Sequence, residues 1–223
     1  MQPRIFCPVI ILLLCISCKK DNSPDTSPNG ISDNNNCKAC IYIPMCDSSI
    51  YTYYDTLGGN FKTLTDTFLY KKDTLLRGHV YEKFYSTYNH DFFYSNCTNG
   101  ISRYGEEDGL SDSTILHRIS LDANLPVNGT WSDTVKQQLL LVDPIQKNTV
   151  LSKGMSRTVN GLVFNDVVHV RKERGYVQMG SFTLYNTVDY YYARGVGLID
   201  AILTTHPSLI VAQHRAVKSY YIP

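Results

Sequence analysis

The chain has 223 residues, with 21 Lys and Arg against 20 Asp and Glu. A formal charge of +1 with no basic tail or stripe argues against nucleic acid and other polyanions as partners. The 187 residues from Cys37 onward suffice for one domain with its own core, and no repeat, internal linker or long apolar span divides them.

The first element is a leader. Arg4 is its only charge, and an apolar run follows from Ile5 to Ile16, interrupted by Pro8. About twelve apolar residues make a helix of about 18 Å, short of the ~30 Å hydrocarbon core. That length predicts the apolar part of a signal peptide rather than a membrane span. Leu14-Cys15-Ile16-Ser17-Cys18 ends with a small residue before a cysteine and resembles a bacterial lipobox. Cys18-Lys19-Lys20-Asp21-Asn22 resembles the mature start of many Bacteroidetes lipoproteins. The resemblance implies a signal peptide over 1–17, lipid attachment at Cys18, and a mature protein held by its acyl chains to a membrane outside the cytoplasm. Lys19, where some bacteria use Asp for inner-membrane retention, points to the outer membrane. An ordinary secretory signal cleaved nearby is the alternative. One acyl chain anchors marginally at roughly 0.8 kcal/mol per methylene, whereas two or three on one cysteine hold permanently.

Residues 18–36 read as a tether. They carry Pro24, Pro28, Gly30 and several Ser and Asn, too little apolar surface to offset the entropy of ordering. As a random chain, Lys19 to Asn36 spans about 20–25 Å.

Of seven cysteines, Cys7 and Cys15 leave with the leader and Cys18 is acylated. Cys37, Cys40, Cys46 and Cys97 remain, an even number in an oxidising compartment, and predict two disulfides with three possible connectivities. If all four are bridged, Cys97 pairs back to the 37–46 segment. That closes a loop of some 50–60 residues, worth about 4 kcal/mol in the chain-entropy model. The competing reading is a metal site, since Cys37-x-x-Cys40 has ligand spacing, but a second ligand pair is missing.

Period-two alternation dominates the domain. Strands are expected at 50–56, closing at Gly58-Gly59, then at 61–70 and 78–88. A hairpin is expected at 91–97 and 101–104 around Asn99-Gly100. Residues 105–112 read as a polar loop. Further strands are expected at 113–121, 130–135, 136–142, 147–158, 162–172, 181–192 and 208–220, with 137–142 open to a helical turn instead. These elements predict an all-β fold with little helix: an antiparallel, strongly curved sheet, as a half-barrel or β-sandwich.

Three elements in the last hundred residues carry a second resemblance. They are Asn128-Gly129-Thr130-Trp131, the stretch Val159 to Val170, and Tyr191-Tyr192-Ala193-Arg194-Gly195-Val196-Gly197-Leu198-Ile199. In this order they resemble a group of uncharacterised Bacteroidetes lipoproteins. The resemblance implies a curved antiparallel sheet and no particular reaction. Gly195 and Gly197 suit a bulge or positive-φ turn. Trp131, the single tryptophan, is expected to be an inter-sheet anchor whose indole N–H needs a partner.

No nucleophile or metalloprotease motif is present. Gly195-x-Gly197-x-x-Asp200 only superficially matches a dinucleotide loop. Glu106, Glu107, Asp108 and Asp112 could hold calcium, though an acidic loop is more often solvated. His117 and His169 are expected to face solvent on strands. No cofactor or metal is expected. Tyr190, Tyr191 and Tyr192 place rings on both faces of one strand, which suits sugar, peptide or amphiphile binding as well as plain sheet packing. Asp55-Thr56-Leu57, Asp73-Thr74-Leu75, Asp112-Ser113-Thr114 and Asp133-Thr134-Val135 resemble Bacteroidetes O-glycan acceptors. The expected function is a non-catalytic, membrane-anchored module binding a hydrophobic, amphiphilic or glycan ligand on its sheet. The alternatives are an accessory subunit partnered by an envelope protein, and a hydrolase with an unrecognised site.

Overall fold

The computed structural model describes residues 37–38, 40–76, 79–107, 115–134, 145–178 and 181–223. The signal peptide expected at 1–17, Cys18, the tether expected at 18–36 and the strand expected at 136–142 lie outside the described residues. Short strands β1 (Cys37–Lys38) and β2 (Met45–Cys46) form a separate pair. Twelve strands make the main sheet: β3 (Ser49–Leu57), β4 (Asn60–Leu76), β5 (His79–Ser86), β6 (Asp91–Thr98), β7 (Ile101–Glu107), β8 (Ile115–Asp122), β9 (Thr130–Thr134), β10 (Ile145–Val159), β11 (Leu162–Gln178), β12 (Ser181–Ala193), β13 (Gly197–Thr205) and β14 (Ile210–Tyr221). Their order is β8-β7-β6-β5-β4-β3-β14-β13-β12-β11-β10-β9, every pair antiparallel. The sheet is one strongly curved layer that does not close. It is a half-barrel, not two packed sheets.

Turn chemistry sets the register. Asn99 and Gly100 (φ 50° and 76°) and Asn160 and Gly161 (φ 49° and 83°) make two-residue hairpins with positive φ at both positions. Gly195 and Gly197 (φ 71° and 106°) turn β12 into β13. The strand β13 was not expected. It follows two glycines and is buried at Gly197, Ile199 and Asp200, so it lacks alternation at its start. Strand β7 also runs through Glu107, into the segment expected to be a loop.

Curvature brings the two edges together. Leu121 of β8 packs in one cluster with Val150, Val168, Val170 and Tyr192, from strands near the other edge, so these side chains line the concave face. Trp131 of β9 donates its indole N–H to the Ile119 carbonyl of β8 at 3.1 Å. It therefore anchors the seam of one sheet rather than two sheets to each other. The long β10–β11 hairpin breaks register three times between Val150 and Arg157. Its tip folds back over the sheet, where Asn160 Nδ2 donates to the Val217 carbonyl at 2.7 Å and Phe164 meets Tyr220. This forms a second core around Val167, Val196 and Ile199.

Candidate functional site

The sheet has two ends. The turns β3–β4, β5–β6, β11–β12 and β13–β14 lie at one, the hairpin rim. The turns β6–β7, β10–β11 and β12–β13 lie at the other, the far rim. The hollow is filled at the far rim. The segment leading to β2 enters there: Gly195 N–H donates to the Ile41 carbonyl at 2.6 Å, and Tyr42 Oη donates to Asp166 Oδ1 at 2.8 Å. Tyr42 and Ile43 pack on the concave cluster as a plug. A disulfide joins Cys40 to Cys97 and holds that plug. Cys40 is therefore not a thiolate ligand, which removes the metal reading of Cys37-x-x-Cys40. Cys46 is also disulfide-bonded, and its backbone partner across β1–β2 is Cys37, whose side chain lies outside the described residues. A cleft of about 240 Å³ remains between the plug and β5–β6, lined by Cys40, Ile43, Val80, Glu82 and Cys97 among others. That is smaller than the ~300–1,000 Å³ usual for ligand pockets.

Toward the hairpin rim the same concave face turns polar. Register places Asn148, Lys172 and Val188 side by side, then Gln146, Arg174 and Asn186 one row nearer the rim. Farther round lie Gln213, Arg215 and Asp55. Asp55 is buried, accepting from Gln213 Nε2 at 2.9 Å and Arg215 Nη2 at 3.2 Å. Gln146 and Asn148 are 1% and 0% exposed. Among the described residues, six buried side-chain polar atoms have no partner within the protein, and five belong to this belt. They are both amide atoms of Gln146, Oδ1 of Asn148, Oδ1 of Asn186 and Nε of Arg215. An unpaired buried polar group costs about 1–3 kcal/mol, so this concentration is selected against by stability alone. Trp131 neighbours Asn148 in register, and the Lys172 ammonium lies 5.0 Å from the Tyr190 ring centroid. Gln146 and Asn148 were not singled out in the sequence. Their signal was two amides in phase with Val150 on one strand.

The convex face carries a second polar group, and it is fully paired. Asp200 is buried and accepts from Arg157 Nε at 3.0 Å, from Arg157 Nη2, and shares a 2.8 Å hydrogen bond with His214 Nε2. The guanidinium of Arg157 stacks on Tyr191, which stacks in turn on His169. His169 Nε2 meets Asp189 Oδ1 at 2.8 Å, and Arg171 pairs with the same carboxylate. Burial opposes ionisation of Asp189, but hydrogen bonds from His169 and Arg171 outweigh it and hold the carboxyl below its usual range. His169 is thus paired and mostly covered, not the solvent-facing histidine expected. Each ring spends Nε2 on a carboxylate, and the described hydrogen bonds give neither a hydroxyl or thiol partner. Buried Asp200 also rules out a phosphate loop at Gly195-x-Gly197.

Among the described residues no group of three His, Cys, Asp or Glu is placed to hold a metal ion. The side chains of Glu106, Glu107, Asp108, Asp112 and His117 lie outside the described residues. So does the Asp112-Ser113-Thr114 acceptor sequence. The Thr74 hydroxyl is buried, which disfavours a glycan there. Tyr51 and Tyr53 donate to the Val196 and Leu198 carbonyls. Burial raises both phenols, and Tyr192, well above the ordinary tyrosine value. Burial and the Asp166 hydrogen bond push Tyr42 up to about 12.

The fold is similar to a solved structure from Parabacteroides distasonis described as a candidate lipoprotein. The TM-score is 0.51 at 11% identity, over 81% of this chain and 98% of that one. A candidate exported protein of Bacteroides fragilis with a YmcC-like fold aligns at TM-score 0.49 and 7% identity, over 82% of this chain and 100% of that one. No family model and no curated protein matches the sequence. At such identities the first likeness shows the fold alone, and the second is too slight to carry an argument.

Proposed function

We propose that this chain is a lipid-anchored, non-catalytic protein of the outer membrane that holds a hydroxyl-rich, glycan-like ligand on the polar belt of its concave face. The five orphaned polar atoms of the belt carry the reading. They include a donor and an acceptor on Gln146 and further acceptors on Asn148 and Asn186, and a hydroxyl both donates and accepts. All are covered in the described fold, so a ligand reaches them by displacing neighbouring side chains of the belt. Rings at Trp131 and Tyr190 offer apolar faces beside them. The apolar half of the hollow is occupied by Tyr42 and Ile43, which disfavours an amphiphile there. The lipobox-like leader supports the anchor, and a neighbour described as a candidate lipoprotein is in keeping with it.

The test is native mass spectrometry and calorimetry of the mature chain against envelope oligosaccharides. Binding that is lost in Gln146→Leu and Asn148→Leu supports the reading. A chain that binds no oligosaccharide, or binds equally well with both amides replaced, ends it.

A further inference from the structure

We infer that the ligand of the polar belt is an acidic glycan whose carboxylate is held by Arg174, a reading that rests on the belt being a ligand site. Gln146, Arg174 and Asn186 are direct cross-strand neighbours on β10, β11 and β12. Side chains so placed start about 5 Å apart at Cβ. Among the described residues the Arg174 guanidinium has no hydrogen bond or ion pair, although Gln146 Oε1 and Asn186 Oδ1 flank it and are themselves unpaired. Arg174 is half-buried and reachable from solvent, whereas Gln146 beside it is 1% exposed. No carboxylate among the described residues serves it. Glu173 faces the opposite side of the sheet, where its carboxylate meets Lys147 at 3.9 Å. Asp55, farther round the belt, is taken by Gln213 and Arg215.

Hydrogen-bonding capacity narrows the ligand. Three orphaned atoms of the belt accept, namely Oε1 of Gln146, Oδ1 of Asn148 and Oδ1 of Asn186. Two donate, namely Nε2 of Gln146 and Nε of Arg215. Arg174 adds a fixed positive charge and a planar fork of N–H donors. A fully ionised phosphate or sulfate brings acceptors alone and would set its charge against the amide oxygens. A neutral sugar satisfies the amides but leaves the guanidinium without a counter-charge. A sugar acid supplies both needs from one ring. Its hydroxyls donate to the amide oxygens, and its carboxylate accepts from the guanidinium in the paired geometry that Arg favours. Lys172, in the next row of the same face, adds a second cation beside the Tyr190 ring.

The experiment titrates the mature chain by calorimetry at low salt with short oligomers of galacturonate, glucuronate and mannuronate. Each is run beside its carboxyl-reduced counterpart, and inorganic phosphate is run alone. Carboxyl reduction keeps the ring and its hydroxyls and removes the charge. The expected result is at least one acid that binds about tenfold or more tightly than its reduced counterpart. That preference should shrink as salt rises. It should disappear in Arg174→Gln, which leaves the unfolding midpoint and the affinity for the reduced counterpart unchanged. It should persist in Lys147→Gln, which removes one charge from the other face of the sheet. Acids and reduced counterparts that bind alike overturn the inference and leave the belt as a site for neutral glycans. So does a preference that survives Arg174→Gln or falls equally in Lys147→Gln, or phosphate that binds as tightly as the best acid. A chain that binds neither form ends both this inference and the belt as a glycan site.

Discussion

The two ends of this sheet are built from similar residues and answer to different demands. At the far rim every device is structural: a plug, a disulfide between Cys40 and Cys97, tyrosines bonded to carbonyls, and a hairpin tip folded over a second core. At the hairpin rim the interior holds amides without partners, and the exterior holds aliphatic tips without cover. Stability is concentrated in one half, and the other half carries features that stability alone does not favour. Such features mark sites where a surface is kept for something else.

Substitutions at the two ends should therefore have opposite signatures. The largest effect is expected from Cys40→Ser/Cys97→Ser. The bridge spans 57 residues, and its loss should cost about 4 kcal/mol of unfolding free energy in chemical denaturation. A loss under about 1 kcal/mol would show that the plug holds itself. Next comes Asp200→Ala, which strands Arg157 on the convex face. Arg157 is 24% exposed, so the cost is reduced from that of a fully buried pair to about 2–3 kcal/mol, read from the denaturation midpoint. At the other end the sign should reverse. Gln146→Leu removes two orphaned atoms and should raise stability by about 1 kcal/mol while abolishing ligand binding. A destabilised variant would mean that the amide already has a partner.

The pH dependence also belongs to the far half. Tyr42, Tyr51, Tyr53 and Tyr192 ionise less readily folded than unfolded. Folding favours their neutral form, so this contribution is complete below about pH 10. It is lost as pH rises through the folded values, beginning with Tyr42 near 12. Tyrosinate absorbance should rise in two stages, exposed rings first and these four with unfolding. A single stage near pH 10 would contradict their burial. Asp189 behaves oppositely. Its lowered carboxyl gives stability above about pH 4 that fades as pH falls toward its folded value. The smallest stability effect is expected at the hairpin rim, where Leu209→Asp/Ile210→Asp should shift the denaturation midpoint by less than about 0.5 kcal/mol.

Strands with clean alternation and hairpins closed by Asn-Gly were legible in the sequence, as β6–β7 and β12 show. Strand β13 was not, because a strand buried on both faces has no period to read. The sheet order was also out of reach. That β14 pairs with β3, with Gln213 opposite Leu57, is a contact between distant parts of the chain that no local pattern encodes. The belt escaped for a related reason. Gln146 and Asn186 are ordinary polar residues on their own strands, and only the register places them on one face. The Cys40–Cys97 bond was narrowed by counting but not chosen, since three connectivities fit four cysteines.

The pairing of β14 with β3 has a consequence for how the molecule comes into being. The strand latest in the described sequence lies mid-sheet, joining the β3–β8 meander to the β9–β13 meander. Until that strand has emerged, no backbone ladder of the main sheet joins the first meander to the second, and only contacts at the seam and the plug, such as Trp131 to Ile119, link them. A polypeptide assembled in this manner stays pliable through most of its synthesis and locks late. Pairing between segments so far apart in the chain is slow to form, because the entropy of closing the loop is lost before the contacts are made.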